Sequence, residues 1–179
     1  MSLLSTAFII QYLAVELRDL WSMVLIVKLQ DIVDEMDTLS DELHAYLNKQ
    51  TGELVTISSE ELQAAEEEDA IESYPEWQRE AIQKAQEILD SDDYLSLPSK
   101  FDIHEYSIIE RFCTEIEDAE LSDELLFQIQ GSGAFQRFKH AIYRYDIVDD
   151  WYRYRQKALE KIAIDWLEVN SISCTTNEE

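Results

Sequence analysis

Apolar positions from residue 28 onward recur at helical spacing, switch once to an alternating pattern, and then return to helical spacing. In KLQDIVDEMDT (28–38), Leu29, Ile32, Val33 and Met36 stand at i, i+3, i+4 and i+7, which is one face of a helix. The period changes over 44–57, where HAYLN and ELVTI are short β-type runs around NKQTG. Gly52 supplies the positive φ that a tight turn needs, so the segment predicts an antiparallel hairpin. A lone hairpin is marginal in water, so it should pack on helices or gain a third strand, for which the VLIV run at 24–27 is a candidate.

Helical spacing resumes at residue 58. Ser58 precedes Glu61 by three, a capping-box spacing that opens SEELQAAEEEDA. Pro75 suits a first helical position, and Trp77, Ala81, Ile82, Ala85, Ile88 and Leu89 form the stripe behind it. DSDDYLSLPSK (90–100) reads as a loop. FDIHEYSIIERFCTEI reads as one helix, with Asp102 and Glu105 at capping-box spacing and Ile109, Phe112, Cys113 and Ile116 on its buried face. Ser122 is placed to cap SDELLFQIQ. GSG (131–133) is a break, after which Phe135, Phe138, Ala141, Ile142 and Tyr145 line another helix. A last long helix, from about Val148 to Glu168, buries Trp151, Tyr154, Ala158, Ile162, Ala163 and Trp166. The expectation is an α+β protein, predominantly α-helical, with one N-terminal antiparallel β-hairpin packed on a bundle of about six or seven helices. Its core should hold Trp77, Ile88, Phe112, Phe135, Phe138, Trp151, Ile162 and Trp166. Residues 23–171 should form a single globular domain, and 172–179 a flexible tail.

The apolar N-terminus lacks the basic n-region of a signal peptide, its first Lys or Arg being Arg18. Glu16, Arg18 and Asp19 interrupt it too early for a membrane span. Residues 1–22 read as an apolar extension, with Met23 an alternative start. Two cysteines without C-x-x-C spacing point to a reducing cytoplasm rather than a disulfide framework.

Charge changes this picture most. The chain carries 39 acidic residues against 14 Lys and Arg, net −25, a surface that as a whole repels nucleic acids and anionic membranes. Half of the basic residues fall within 137–161, where the net charge is +3, against −24 over 1–136. They are Arg137, Lys139, Arg144, Arg153, Arg155, Lys157 and Lys161, interleaved with Phe138, Tyr143, Tyr145, Trp151, Tyr152 and Tyr154. Basic residues among aromatics suit an anion or nucleic acid, and the candidate patch is Arg137, Lys139, Arg144, Arg153, Arg155 and Lys157. The competing reading pairs these side chains with the acidic helices and buries the aromatics.

Catalytic patterns are missing. His44, His104 and His140 are isolated, and neither H-E-x-x-H, a P-loop, G-x-S-x-G nor G-x-G-x-x-G occurs. The acidic runs at 66–69 and 90–93 lack the glycine and spacing of a calcium loop. No catalytic residue, metal or cofactor is implied. The leading expectation is a non-catalytic acidic interaction or regulatory protein that binds a basic protein partner. The alternatives are nucleic-acid or phosphate-ligand binding through 137–157 and a small metal-dependent hydrolase. No membrane association is expected, and the oligomeric state is left open.

Several stretches together carry a resemblance: DELHAYLNKQTGELVTIS, YPEWQREAI, LPSKFDIHEYSIIERFC, GSGAFQRFKHAI, DDWYRYR and IDWLE. Across about residues 29–169 the chain resembles the bacterial uncharacterised protein family 0158. The resemblance implies a bacterial cytosolic protein and supplies no catalytic or ligand residues. It leaves 1–22 outside the match.

Overall fold

The computed structural model describes residues 25–67 and 71–176. The segment 1–22, the alternative start at Met23 and part of the acidic run at 66–69 lie outside the described residues. The chain is mostly helical. Strand β1 (Ile26–Lys28) leads directly into α1 (Leu29–Thr38), whose buried residues are the expected Leu29, Ile32, Val33 and Met36. The hairpin follows as β2 (Leu43–Asn48) and β3 (Leu54–Ser58), then α2 (Ser59–Glu66), a 3-10 turn (Ile71–Ser73) and α3 (Glu76–Asp90). Strand β4 (Tyr94–Ser96) precedes a single turn, α4 (Lys100–Ile103), and then α5 (Glu105–Glu115), α6 (Ala119–Gln128), α7 (Ala134–Arg144) and α8 (Val148–Val169). Strand β5 (Ser173–Thr175) closes the described chain.

The hairpin forms where the period changes. Asn48 makes the turn: its side-chain oxygen accepts from the backbone N–H of Gln50 and Thr51 at 2.9 and 3.0 Å. Gly52 has φ +77°, which favours glycine, and a Cβ there would press on the Leu25 side chain at 3.1 Å. The hairpin does gain a third strand, but a different one. The antiparallel order is β3-β2-β4, with Tyr46 opposite Ser96 and Asn48 opposite Tyr94, so the expected loop at 90–100 contains the edge strand. Ile26 and Val27 of the VLIV run pair instead in parallel with Ser173 and Cys174, and Val24 lies outside the described residues. The strands are therefore not one N-terminal hairpin, and the expected tail is strand-paired through Thr175.

Alternation along the hairpin divides the apolar residues between two cores. Ala45, Leu47 and Leu54 face the main one, shared with α1 and α5–α8. Tyr46, Val55 and Ile57 face a smaller one with Ala64, Ala65, Ile82, Ala85 and Ile88 of α2 and α3. The sheet is thus a thin layer covered by helices on both sides. At the centre of the main core, the Phe138 ring meets Trp151 at 4.9 Å and Phe112 at 6.1 Å, both edge-on. Tyr154 meets Phe112 at 5.4 Å.

Ile88, Phe112, Phe138 and Trp151 are buried as expected, and Ile162 and Trp166 half-buried. Trp77 and Phe135 are not, at 77% and 49% exposed. Each stands in the first turn of its helix, at the rotational margin of the apolar stripe.

Caps explain several helix starts. The Ser58–Glu61 capping box forms as the spacing predicts. The next box joins Ser99 and Asp102, one turn earlier than the expected Asp102–Glu105 pair. His104 then takes the left-handed conformation (φ 50°) and divides α4 from α5, where one continuous helix was expected. Asp118, not Ser122, caps α6 by accepting from Glu120 and Leu121 N–H.

Candidate functional site

The helical period scatters the basic segment. Successive residues turn by about 100°, so Arg153 and Arg155 point to opposite sides of α8, as Arg137 and Lys139 do on α7. The six candidates accordingly line three separate concavities. Arg137 and Arg144 lie beside Glu124 and His140. Arg153 and Lys157 lie beside Phe112 and Glu115. Lys139 and Arg155 line a cavity of about 460 Å³.

Every arginine among the described residues is engaged within the chain. Arg79 donates to the carbonyls of Tyr74 and Glu72, and Arg111 to that of Ser107. Arg137 closes the C-terminal end of α6 and the GSG loop, donating to the carbonyls of Gln128 at 2.9 Å, Ser132 at 2.6 Å and Gln130. Arg144 lies 3.9 Å from Glu124, and Arg153 3.0 Å from Asp150.

Arg155 joins three helices. It donates to Glu105 at the start of α5, with Nε–Oε1 at 2.6 Å, and to Asp37 in the last turn of α1. Its side chain is only 21% exposed. Burial opposes its charge, but the hydrogen bonds to Glu105 and Asp37 outweigh that and hold the guanidinium above its ordinary pKa. Lys161 pairs with Asp165, and Lys84 with Glu53 and Glu87. The described cations without a hydrogen-bond or ion-pair partner are lysines: Lys28, Lys49, Lys100, Lys139 and Lys157.

Arg79, Arg137, Arg155 and Lys84 thus tie separate elements together, while many carboxylates have no countercharge. Asp31 and Asp34 form an exposed row on α1, Glu60 and Glu67 flank α2, and Glu117, Asp118, Glu120 and Asp123 surround the start of α6. No group of three or more His, Cys, Asp or Glu among the described residues is arranged to hold a metal ion.

The 460 Å³ cavity was not legible in the sequence. It is lined by the apolar Met36, Leu39 and Ile103, the aromatic Phe135, Trp151 and Tyr152, and Lys100 and Lys139, with Nζ of Lys139 4.9 Å from the centre of the Phe135 ring. Lys139, Trp151, Tyr152 and Arg155 were singled out from the sequence. Lys100 and Glu105 were not, because they meet the others only through the turn at His104.

A helical protein with a small covered sheet, a −25 surface and arginines committed internally is the class that the fold and charge define. The chain belongs to the uncharacterised protein family UPF0158, whose sequence model matches residues 22–179. It is 35% identical over 66 residues to the Pseudomonas aeruginosa protein described as UPF0158 protein PA5073; the match takes in 36% of this chain and 43% of that protein. The matched region therefore spans less than half the length of this curated relative. No solved structure is a significant match. No helix among the described residues is long and apolar enough to cross a membrane.

Proposed function

We propose that this protein is a non-catalytic interaction or regulatory protein whose acidic surface binds a basic protein partner in the bacterial cytoplasm. The supporting observation is the internal use of every described arginine. It leaves a surface whose remaining charge is carboxylate with a few scattered lysines. Such a surface raises the encounter rate with a basic protein and rejects polyanions. A nucleic-acid surface would need its basic residues together, whereas 137–157 distributes them over three concavities.

The test is a native pull-down at low and high salt, assayed for protein and for nucleic acid. The expected result is a basic protein that is released as salt rises above about 0.15 M, where screening acts within ~8 Å. The double variant Asp31→Lys/Asp34→Lys should weaken its capture. Absence of any protein partner at low salt refutes the reading. Co-purifying nucleic acid that is lost on Arg153→Glu/Lys157→Glu substitution replaces it with the nucleic-acid alternative.

A further inference from the structure

The cavity beneath α7 and α8 has features that the acidic surface does not explain. It is about 460 Å³, within the range of small-molecule sites. Asp37 and Glu105 at its edge share one cation, Arg155, and so keep one negative charge between them. The ammonium groups of Lys100 and Lys139 have no carboxylate. The lining therefore carries one net positive charge within a chain of net −25.

Trp151 is 3% exposed, and its indole N–H meets no acceptor among the described residues. Among the described residues no buried side-chain nitrogen or oxygen lacks a partner, so this donor keeps a contact with solvent. The cavity is the concavity that Trp151 lines. An indole N–H without a protein acceptor, on a residue that lines the cavity, suits a ligand oxygen.

We propose that this cavity binds a small aromatic monocarboxylate. The ring system would lie between Phe135 and Tyr152 against the apolar lining, and the carboxylate would be held by Lys100, Lys139 and the Trp151 N–H. The single net positive charge selects the monoanion. A phosphate dianion would exceed it and meet the surrounding field of carboxylates. This site is independent of the acidic-surface reading and stands or falls without it.

The probes are 2-naphthoate, its neutral amide 2-naphthamide, and 2-naphthyl phosphate. Each is titrated into ¹⁵N-labelled full chain while the indole N–H resonances are followed, with Trp151→Phe identifying the relevant one. The expected result is a shift of the Trp151 resonance with 2-naphthoate and binding of the amide weaker by about tenfold. Lys100→Gln/Lys139→Gln should weaken 2-naphthoate by about tenfold and abolish its advantage over the amide. Both lysines are exposed, so the variant keeps the parent spectrum elsewhere. The proposal is overturned by a Trp151 resonance that does not move at about 10 mM 2-naphthoate. Equal binding of the amide, tighter binding of the phosphate, or unchanged affinity in the double variant overturns it too.

Discussion

Arg155→Met tests a contact that joins three helices. Arg155 on α8 holds Glu105 of α5 through Nε at 2.6 Å and reaches Asp37 of α1 with Nη1. Methionine keeps the apolar stem and removes the charge. Two carboxylates then face one another at the cavity edge without a cation. Breaking a fully buried pair costs about 3–5 kcal/mol, and breaking an exposed one about 0.2–1 kcal/mol. Arg155 and Glu105 are 21% and 24% exposed and Asp37 is 52% exposed, so the cost should fall between these limits, at about 2 kcal/mol. For a chain of 179 residues that lowers the melting temperature by about 4–8 °C. Arg155→Lys keeps the charge but cannot serve both carboxylates at once, and should lose about half as much. Arg155→Met/Glu105→Gln removes the repulsion and should recover part of the loss. Thermal and urea unfolding followed by circular dichroism measure all three. A melting point for Arg155→Met within about 1 °C of the parent, or equal damage from lysine, would refute the reasoning.

Three further outcomes are expected. Phe138→Ala empties the centre of the aromatic cluster and should cost about 3–5 kcal/mol, whereas Trp77→Ala, at an exposed position, should stay within about 0.5 kcal/mol; urea midpoints decide. Hydrogen bonds from Tyr94 and then Lys84 hold the Glu87 carboxyl below its ordinary pKa. A depressed carboxylate stabilises the folded state above its unfolded pKa, about 4.3, and loses that contribution as the pH falls through the folded value. In Tyr94→Phe the Glu87 midpoint, followed by carboxyl NMR, should therefore move up, and the stability difference from the parent should vanish at low pH; an unmoved midpoint sinks this. Burial pushes the Cys113 thiol up to about 11, so at pH 8 a thiol reagent should label Cys174 in the native chain and Cys113 only after denaturation. Native labelling of both would contradict it.

Local features of the fold were legible in the sequence because local physics sets them. The stripe of α1, the hairpin at the change of period, the Asn48–Gly52 turn and the Ser58 cap each lie within a few residues of their cause. Partners that close through space were not. Tyr94–Ser96 is a three-residue strand inside a polar stretch, and only the free edge of β2 makes it one. The β1–β5 pair joins the two ends of the described chain because α1 packs on α8. The division at His104 needed a non-glycine residue in the left-handed region, which sequence pattern does not announce. Trp77 and Phe135 misled for a shared reason. Apolar spacing gives the direction of a helix face, not whether anything covers its first turn.

The basic segment illustrates the same limit for function. Counted along the chain, half of the Lys and Arg in 25 residues suggests one patch. Wound into helices, alternate residues separate by about 200°, and each arginine among them meets a different group. Arg137 takes the carbonyls that α6 leaves open, Arg144 reaches Glu124, Arg153 holds Asp150, and Arg155 draws α1 and α5 onto α8. An arginine committed to a carbonyl or carboxylate of its own chain cannot offer the same donors to a phosphate without releasing that tie. Local concentration of cations therefore serves assembly of the fold. Five of the described lysines, compact point charges with no fork geometry to satisfy internally, keep their ammonium groups without a hydrogen-bond or ion-pair partner. Two of them, Lys100 and Lys139, line one cavity with Phe135 and Tyr152, and that shared lining, rather than the density of charge along the sequence, is what the proposed anion site rests on.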